Sequence, residues 1–513
     1  MGNKYQFLSV LCLCAVLTLQ IMAQEQTITM TTSKAVGEQV TLKVNHTFDG
    51  VTVDWGGGTT TTYNTGDEKL RTMTGTLQGQ TIKLTGSKYI TTLICSGQQI
   101  TSLDVSNATY LQSIYAQNNE LTAIDVKGLT KLKDLNVSGN KLSGRIDLRN
   151  TTVPALETLD ISDNELTNIA NSTVLNLTGS HANLQYLRAA RNKFSRAYLN
   201  AFSKLDYADV SGIGLTNVSV KTSSYAADAL TVLNAADNNL TTVDVSNCTL
   251  MSDLFLNNNS INELDVTALT KLKNVSVAGN EMTSMLQNST NLMFYDISGN
   301  RLYFRALPKT TARPKYMVVG PQLPFIIVDE NGNRITNVQV CPNYDERSNT
   351  DYIMNLANYR YDGNGRAQST LTILDISENE EGAPLVAYNT STGEGDYVLT
   401  TGKYVFFTNH ERCILRLTHS LGYFADYNFV SAPFAIGSEL TGISQATADV
   451  EKSERILVEP SAGSVVITSL TGTQPVNIFD AGGRKVWGGT VEKSITVKLP
   501  NGIYVVNGKK VLL

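Results

Sequence analysis

Side chains that transfer protons or bind metals are few and scattered in this chain. Its 513 residues include four histidines, His46, His181, His410 and His419. None stands at ligand spacing from a second histidine or a cysteine, so each reads as an ordinary surface or loop residue. No Gly-x-Ser-x-Gly elbow, phosphate-cradling glycine loop or His-Glu-x-x-His helix is present. Aspartates abound, but Asp104, Asp125, Asp244 and Asp265 recur at one position of a repeated phrase. A residue placed by repeat geometry needs no catalytic explanation. The sequence points away from an enzyme and asks for no cofactor or metal.

A second group of side chains has the chemistry of recognition. These are Tyr115, Asn136, Asp160, Tyr186, Arg188, Arg191, Tyr207, Asp209, Asn234, Phe255, Phe294 and Asp296. Aromatic side chains in solvent-facing positions supply contact area at low entropic cost. Tyr186, Arg188, Arg191 and Tyr207 make one cluster, and Phe255 with Phe294 another. Mixtures of Asn, Asp and Tyr also suit sugar hydroxyls. The competing reading is that strand surfaces favour Tyr and Phe through cross-strand packing alone.

What places these residues is a phrase written ten times, apolar-x-x-apolar-x-apolar-x-x-Asn-x-apolar. Leu132, Leu135, Val137, Asn140 and Leu142 show it cleanly, as do Leu272, Val275, Val277, Asn280 and Met282. The amide falls at Gln98, Asn119, Asn140, Asn164, Asn192, Asn238, Asn259, Asn280 and Asn300, and Ile213 replaces it once. Self-similarity at a period of roughly 20–29 residues predicts a leucine-rich-repeat solenoid over residues 87–305. Alternation such as Leu135-Asn136-Val137 predicts one short strand per repeat, with the residue between the two apolar ones facing outward on the concave side. The Asn then satisfies backbone groups in its own coil and the next, which water cannot reach. A second phrase after each Asn, such as Leu264-Asp265-Val266, predicts an extended convex segment with little helix. Ile213 marks the expected weak point.

This pattern resembles the bacterial surface leucine-rich-repeat proteins, the internalin-like and adhesin-like group. The resemblance implies a binding surface and names no ligand.

The flanks are predicted to be β as well, so the fold class is mainly β. Residues 24–86 read as a β cap covering the edge of the first coil. Within it, Val53-Asp54-Trp55-Gly56-Gly57-Gly58 resembles a segment of bacterial extracellular β-modules. Gly57 stands where those have Asp, which speaks against a metal there. Residues 306–446 lose the repeat and read as a β-sandwich-like domain. Residues 447–513 form a small C-terminal β-domain. Its Asp480-x-x-Gly483-Arg484 turn and Leu499-Pro500-Asn501-Gly502-Ile503-Tyr504 hairpin resemble the sorting domain of type IX secretion substrates.

Residues 1–23, with Lys4, an apolar stretch from Phe7 to Leu19 and Ala23, read as a secretory signal. Cys12 and Cys14 lack the preceding small residue of a lipobox. Cys95 and Cys248 read as core fillers, while Cys341 and Cys413 could pair in an exported protein. A formal charge of −5 without a basic run disfavours nucleic acid. The expectation is a secreted or surface protein of a Gram-negative bacterium, without a transmembrane segment, that holds an extracellular protein, peptide or glycan on its concave face. A structural envelope component, or a polysaccharide-active enzyme with its site in 306–446, are the alternatives.

Overall fold

The computed structural model describes residues 26–46, 50–64, 70–86, 90–146, 148, 153–169, 174–175, 183–199, 202–220, 229–287, 289–304, 314–320, 322–361, 369–378, 381–400, 402–419, 429–437, 456–461, 464–469, 474–480, 485–499, 503–506 and 509–512. The expected signal segment, with Cys12 and Cys14, lies outside them, as do His181, the Gly483-Arg484 turn and Pro500-Asn501-Gly502. The chain divides into two compact units, Met1–Asn259 and Ser260–Leu513, each described by itself.

The first unit is a leucine-rich-repeat solenoid with a β cap. Eight short strands, Ile90–Ile94, Ser113–Tyr115, Asp134–Asn136, Thr158–Asp160, Tyr186–Arg188, Tyr207–Asp209, Val232–Asn234 and Asp253–Phe255, pair in parallel in that order. The first sends Leu93 inward, and each of the other seven its middle residue. Ile114, Leu135, Leu159, Leu187, Ala208, Leu233 and Leu254 are all buried, and the residues on either side are the outward ones. The cap continues this sheet through antiparallel strands Gln39–His46 and Arg71–Thr76. A second cap sheet brings Gln26–Thr32 against the convex strand Ile100–Asp104. Convex segments are extended, as in Ser143–Ile146 paired with Glu165–Ile169, and the described residues contain no α-helix.

The amides form the expected ladder. Asn140 is typical: Nδ2 donates to Val137 O in its own coil and Ala116 O in the preceding one, while Oδ1 accepts from Leu121 N. Asn119, Asn164, Asn192, Asn238 and Asn259 repeat the pattern one coil at a time. Gln98 differs. Its longer side chain reaches into the cap, where Oε1 accepts from Thr41 N at 3.0 Å. Ile213 supplies no amide, yet its own backbone N–H donates to Asn238 Oδ1, so the rung ahead covers it.

The residue before each rung carries a second constraint, positive φ. Gly97, Asn118, Gly139, Asp163, Arg191, Gly212, Asp237 and Asn258 all occupy it. Glycine, asparagine and aspartate are the residues that adopt this region readily, and Arg191 is the exception.

The second unit opens with three parallel strands, Asn274–Ser276, Phe294–Asp296 and Tyr316–Val318. Asn280 and Asn300 are its rungs, at 3% and 0% exposure. The pattern runs one coil beyond residue 305. Gln322 donates to Ile297 O and Val319 O and accepts from Leu302 N at 3.0 Å, the bonding of a further rung. Aromatic rings then tie this coil to the downstream β region. Phe304 packs on Phe429 and His419, and Tyr303 on Phe325 and Tyr359.

Beyond it, residues 326–437 build a sheet ordered Asn337–Val338, Phe434–Ile436, His410–His419, Ser369–Asp375, Ala383–Pro384, and a three-stranded sheet of Met354–Asn355, Lys403–Phe406 and Tyr397–Thr400. Strands from 456 onward form two sheets sharing one core of Val465, Ile467, Val476, Ile478, Val491, Val497, Leu499 and Val506.

Cys341 and Cys413 are free and do not pair. Burial pushes the Cys95 and Cys413 thiols up to about 12, and Asp375 and Asp396 add to the effect at Cys413. These sulfurs pack as small apolar groups. Cys248 is likewise buried.

Candidate recognition site on the concave face of the first unit

Strand register decides which outward residues meet. Thr158, Tyr186 and Tyr207 stand side by side on neighbouring strands, and so do Asp160, Arg188 and Asp209. The tyrosine rings stack with centroids 4.3 Å apart at 10°. Burial, then Asp209 and Tyr186, push the Tyr207 hydroxyl up to about 12, although Arg188 pulls the other way.

Arg188 lies between two nearly buried aspartates. Asp160 is 8% exposed and Asp209 4%. Arg188 Nε sits 3.8 Å from Asp209 Oδ2, beyond hydrogen-bond range, and is itself buried without an acceptor. Burial works against the guanidinium charge, but Tyr186, Asp160, Tyr207 and Asp209 together hold it above the usual arginine range. Arg191 forms a two-pronged ion pair with Asp163, Nε to Oδ1 and Nη2 to Oδ2, and this bond holds the Asp163 carboxyl below its usual range. Tyr186, Arg188 and Tyr207 therefore stand together on the sheet, while Arg191 sits in the following turn against Asp163.

Five of the expected binding residues have a prior structural task. In each, the side-chain oxygen caps the turn after the strand by accepting from the backbone N–H two residues on. The pairs are Asn136 with Ser138, Asp160 with Ser162, Asp209 with Ser211, Asn234 with Ala236 and Asp296 with Ser298. Where the second residue is serine, its hydroxyl donates to the same oxygen. The Asp-x-Ser and Asn-x-Ser spacings that announce this were present in the sequence. Asp104, Asp125, Asp244 and Asp265 do the same on the convex side.

Tyr115 and Phe255 stand at strand ends on the first unit's face, half-buried, and burial raises the Tyr115 hydroxyl. Phe294 and Asp296 belong to the second unit, where Phe294 neighbours Tyr316. Phe255 and Phe294 thus fall in different units. Asp54 caps the glycine turn in place of a metal role, with Oδ1 accepting from Gly56, Gly57 and Gly58 N at 2.8, 3.1 and 3.0 Å.

Two histidines differ from the expectation of plain surface residues. His419 is 5% exposed and packs on Phe304. His410 sits between carboxylates, with Nδ1 2.6 Å from Asp375 Oδ2 and Nε2 3.4 Å from Asp396 Oδ1, while Thr408 Oγ1 lies 2.9 Å from Nε2. Its partners are far away in sequence, so no motif announces them. Among the described residues no group of three or more His, Cys, Asp or Glu is placed to hold a metal ion.

No family model matches the sequence, and no curated protein does. Among solved structures, the chain is similar to the functional domain of InlJ from Listeria monocytogenes, at 15% identity and a TM-score of 0.28, covering 68% of this chain and 90% of that one. It is also similar to YopM from Yersinia pestis, at 19% identity and 0.37, covering 45% and 66%. A third is the leucine-rich-repeat protein LIC12759 of Leptospira interrogans, at 16% and 0.25, covering 39% and 69%. These likenesses concern the fold alone.

Proposed function

We propose that this protein is a secreted or surface-associated binding protein of the adhesin-like kind, which holds an extracellular protein, peptide or glycan on the concave face of its first unit and performs no catalysis. The observation that carries this reading is the Tyr186–Tyr207 stack beside Arg188. Two half-buried aromatic rings and a guanidinium without a hydrogen-bond partner at Nε meet in mid-sheet, where turn-capping residues otherwise fill the face.

Size narrows the ligand. Eight strands at about 4.8 Å spacing give a face roughly 34 Å long. Three outward positions per strand make it roughly 10–13 Å wide, hence about 340–440 Å². A standard protein interface takes about 800 Å² from each partner. The face alone suits an extended chain or one lobe of a larger partner. Export through residues 1–23 and a sorting role for residues 447–513 belong to the same proposal.

The test compares the full chain with the Tyr186→Ala, Tyr207→Ala double variant on a glycan array and against extracellular matrix proteins. Wild type retains a ligand and the variant loses most of it, with a stability loss of about 0.5–1.5 kcal/mol from the broken stack. If neither ligand class binds wild type, the reading falls. A large drop in melting temperature would show that the rings serve packing instead.

A further inference from the structure

The same cluster also carries information about ligand chemistry, on the premise that the concave face is the binding site. Arg188 has a planar fork of donors, yet its Nε finds no acceptor and its nearest carboxylate oxygen is 3.8 Å away. The side chain is 40% exposed, so the outer nitrogens of the fork are open to an incoming group that supplies acceptor oxygens. That group is uncharged, because Asp160 and Asp209 already flank the guanidinium one strand to either side. An anion would meet both carboxylates at about 4.8 Å spacing.

The stacked rings point the same way. Tyr186 and Tyr207 cover each other's inner faces, and the stack runs from strand to strand. Between them they present ring edges, which carry partial positive charge and favour acceptors, rather than an open face for a sugar ring. Charge selects what surrounds the acceptors. Along this face and its rim, the described aspartates Asp134, Asp160, Asp163, Asp209, Asp237 and Asp253 accompany Arg188 and Arg191.

We infer that the site takes an extended peptide segment, whose backbone carbonyls accept from Arg188 and whose lysine or arginine side chains meet the surrounding aspartates. A strand rises about 3.3 Å per residue, so the face accommodates a segment of about ten residues.

The experiment uses the full chain and fluorescent peptides of about ten residues with Gly-Lys, Gly-Ser or Gly-Glu repeats, read by anisotropy at low and high salt, with cello-oligosaccharide as competitor. The Gly-Lys peptide binds tightest, and its affinity falls as salt rises. Arg188→Lys keeps a charge between the aspartates but loses the fork, and weakens binding about tenfold. Asp134→Asn with Asp253→Asn weakens the Gly-Lys peptide and flattens its salt dependence, with the melting curve checking that each variant folds.

Tighter binding of the Gly-Glu peptide overturns the inference. So does Gly-Lys binding that ignores both sets of substitutions. Displacement by the oligosaccharide, sensitive to Arg188→Lys, overturns the peptide assignment while leaving the concave face as the binding surface. If no peptide binds, the inference is wrong, and the Tyr186, Tyr207 comparison decides separately whether the face binds anything.

Discussion

At the scale of single residues, Arg191 is the place where two requirements compete. Its position in the coil demands positive φ, here 52°. Arginine in that region carries a backbone cost of roughly 1–2 kcal/mol that glycine avoids. Against this stands an exposed ion pair with Asp163, worth about 0–1 kcal/mol. Arg191→Gly is therefore expected to leave stability unchanged or slightly raised, within about 1 kcal/mol by denaturant unfolding. A clear loss would mean that the Asp163 bond contributes more than an exposed pair can. The same scale shows what the sequence hid. Outward direction follows from strand alternation, so Tyr186, Arg188 and Tyr207 were legible as neighbours. The turn-capping duty of Asp160, Asp209 and Asp296 was legible too, in the serine two residues later, but competes with the binding reading for the same carboxylates.

Elements raise the question of what keeps the coils in register. Each rung bonds its own coil and one neighbour, so deleting one leaves buried groups in two coils without partners. Asn164→Ala strips Val137 O, Ile161 O and Leu142 N of theirs. Unfolding titrations are expected to show a loss of about 1–3 kcal/mol, since the alanine cannot replace a buried polar group. A loss under about 0.5 kcal/mol would show water taking over the rung. The ladder was readable because its period is fixed by the fold. Gln322 escaped because residues 306–446 read as having lost the repeat, while the chain completes one more coil. The His410 staple could not be read at all, since strand pairing alone brings Asp375 to it. At Asp375 burial raises the carboxyl, but the Ser377 hydroxyl, His410 and the Ser377 N–H outweigh it and hold the group below its usual range. A depressed carboxyl stabilises the folded state above the ordinary aspartate value of about 3.9, and this contribution fades as pH falls through the lower folded value. His410→Ala should thus lower the melting temperature at neutral pH, with the gap to wild type closing below about pH 4. A gap that stays constant on acidification would remove the Asp375 carboxylate from the explanation.

On the scale of the whole molecule, the two units divide the expected tasks. The first holds the tyrosine–arginine cluster and a sheet that its cap extends through Gln39–His46 and Arg71–Thr76. The second holds the aromatic junction of Tyr303, Phe325 and Tyr359 and both downstream β regions. Mainly β architecture was evident from patterning, since alternation survives in every segment. Where the compact units divide was not, because the repeat phrase runs through Asn259 without a change in period.

Ladder bonding that reaches no further than the adjacent coil has a mechanical meaning. Pulled lengthwise, the first unit's amide ladder shares load only between adjacent windings among the described residues, so it gives way by peeling one winding after another. Each of about 21 residues releases roughly 70 Å of chain, at about 3.4 Å per residue. A repeat stack built this way lengthens in small steps under load and can rewind between them.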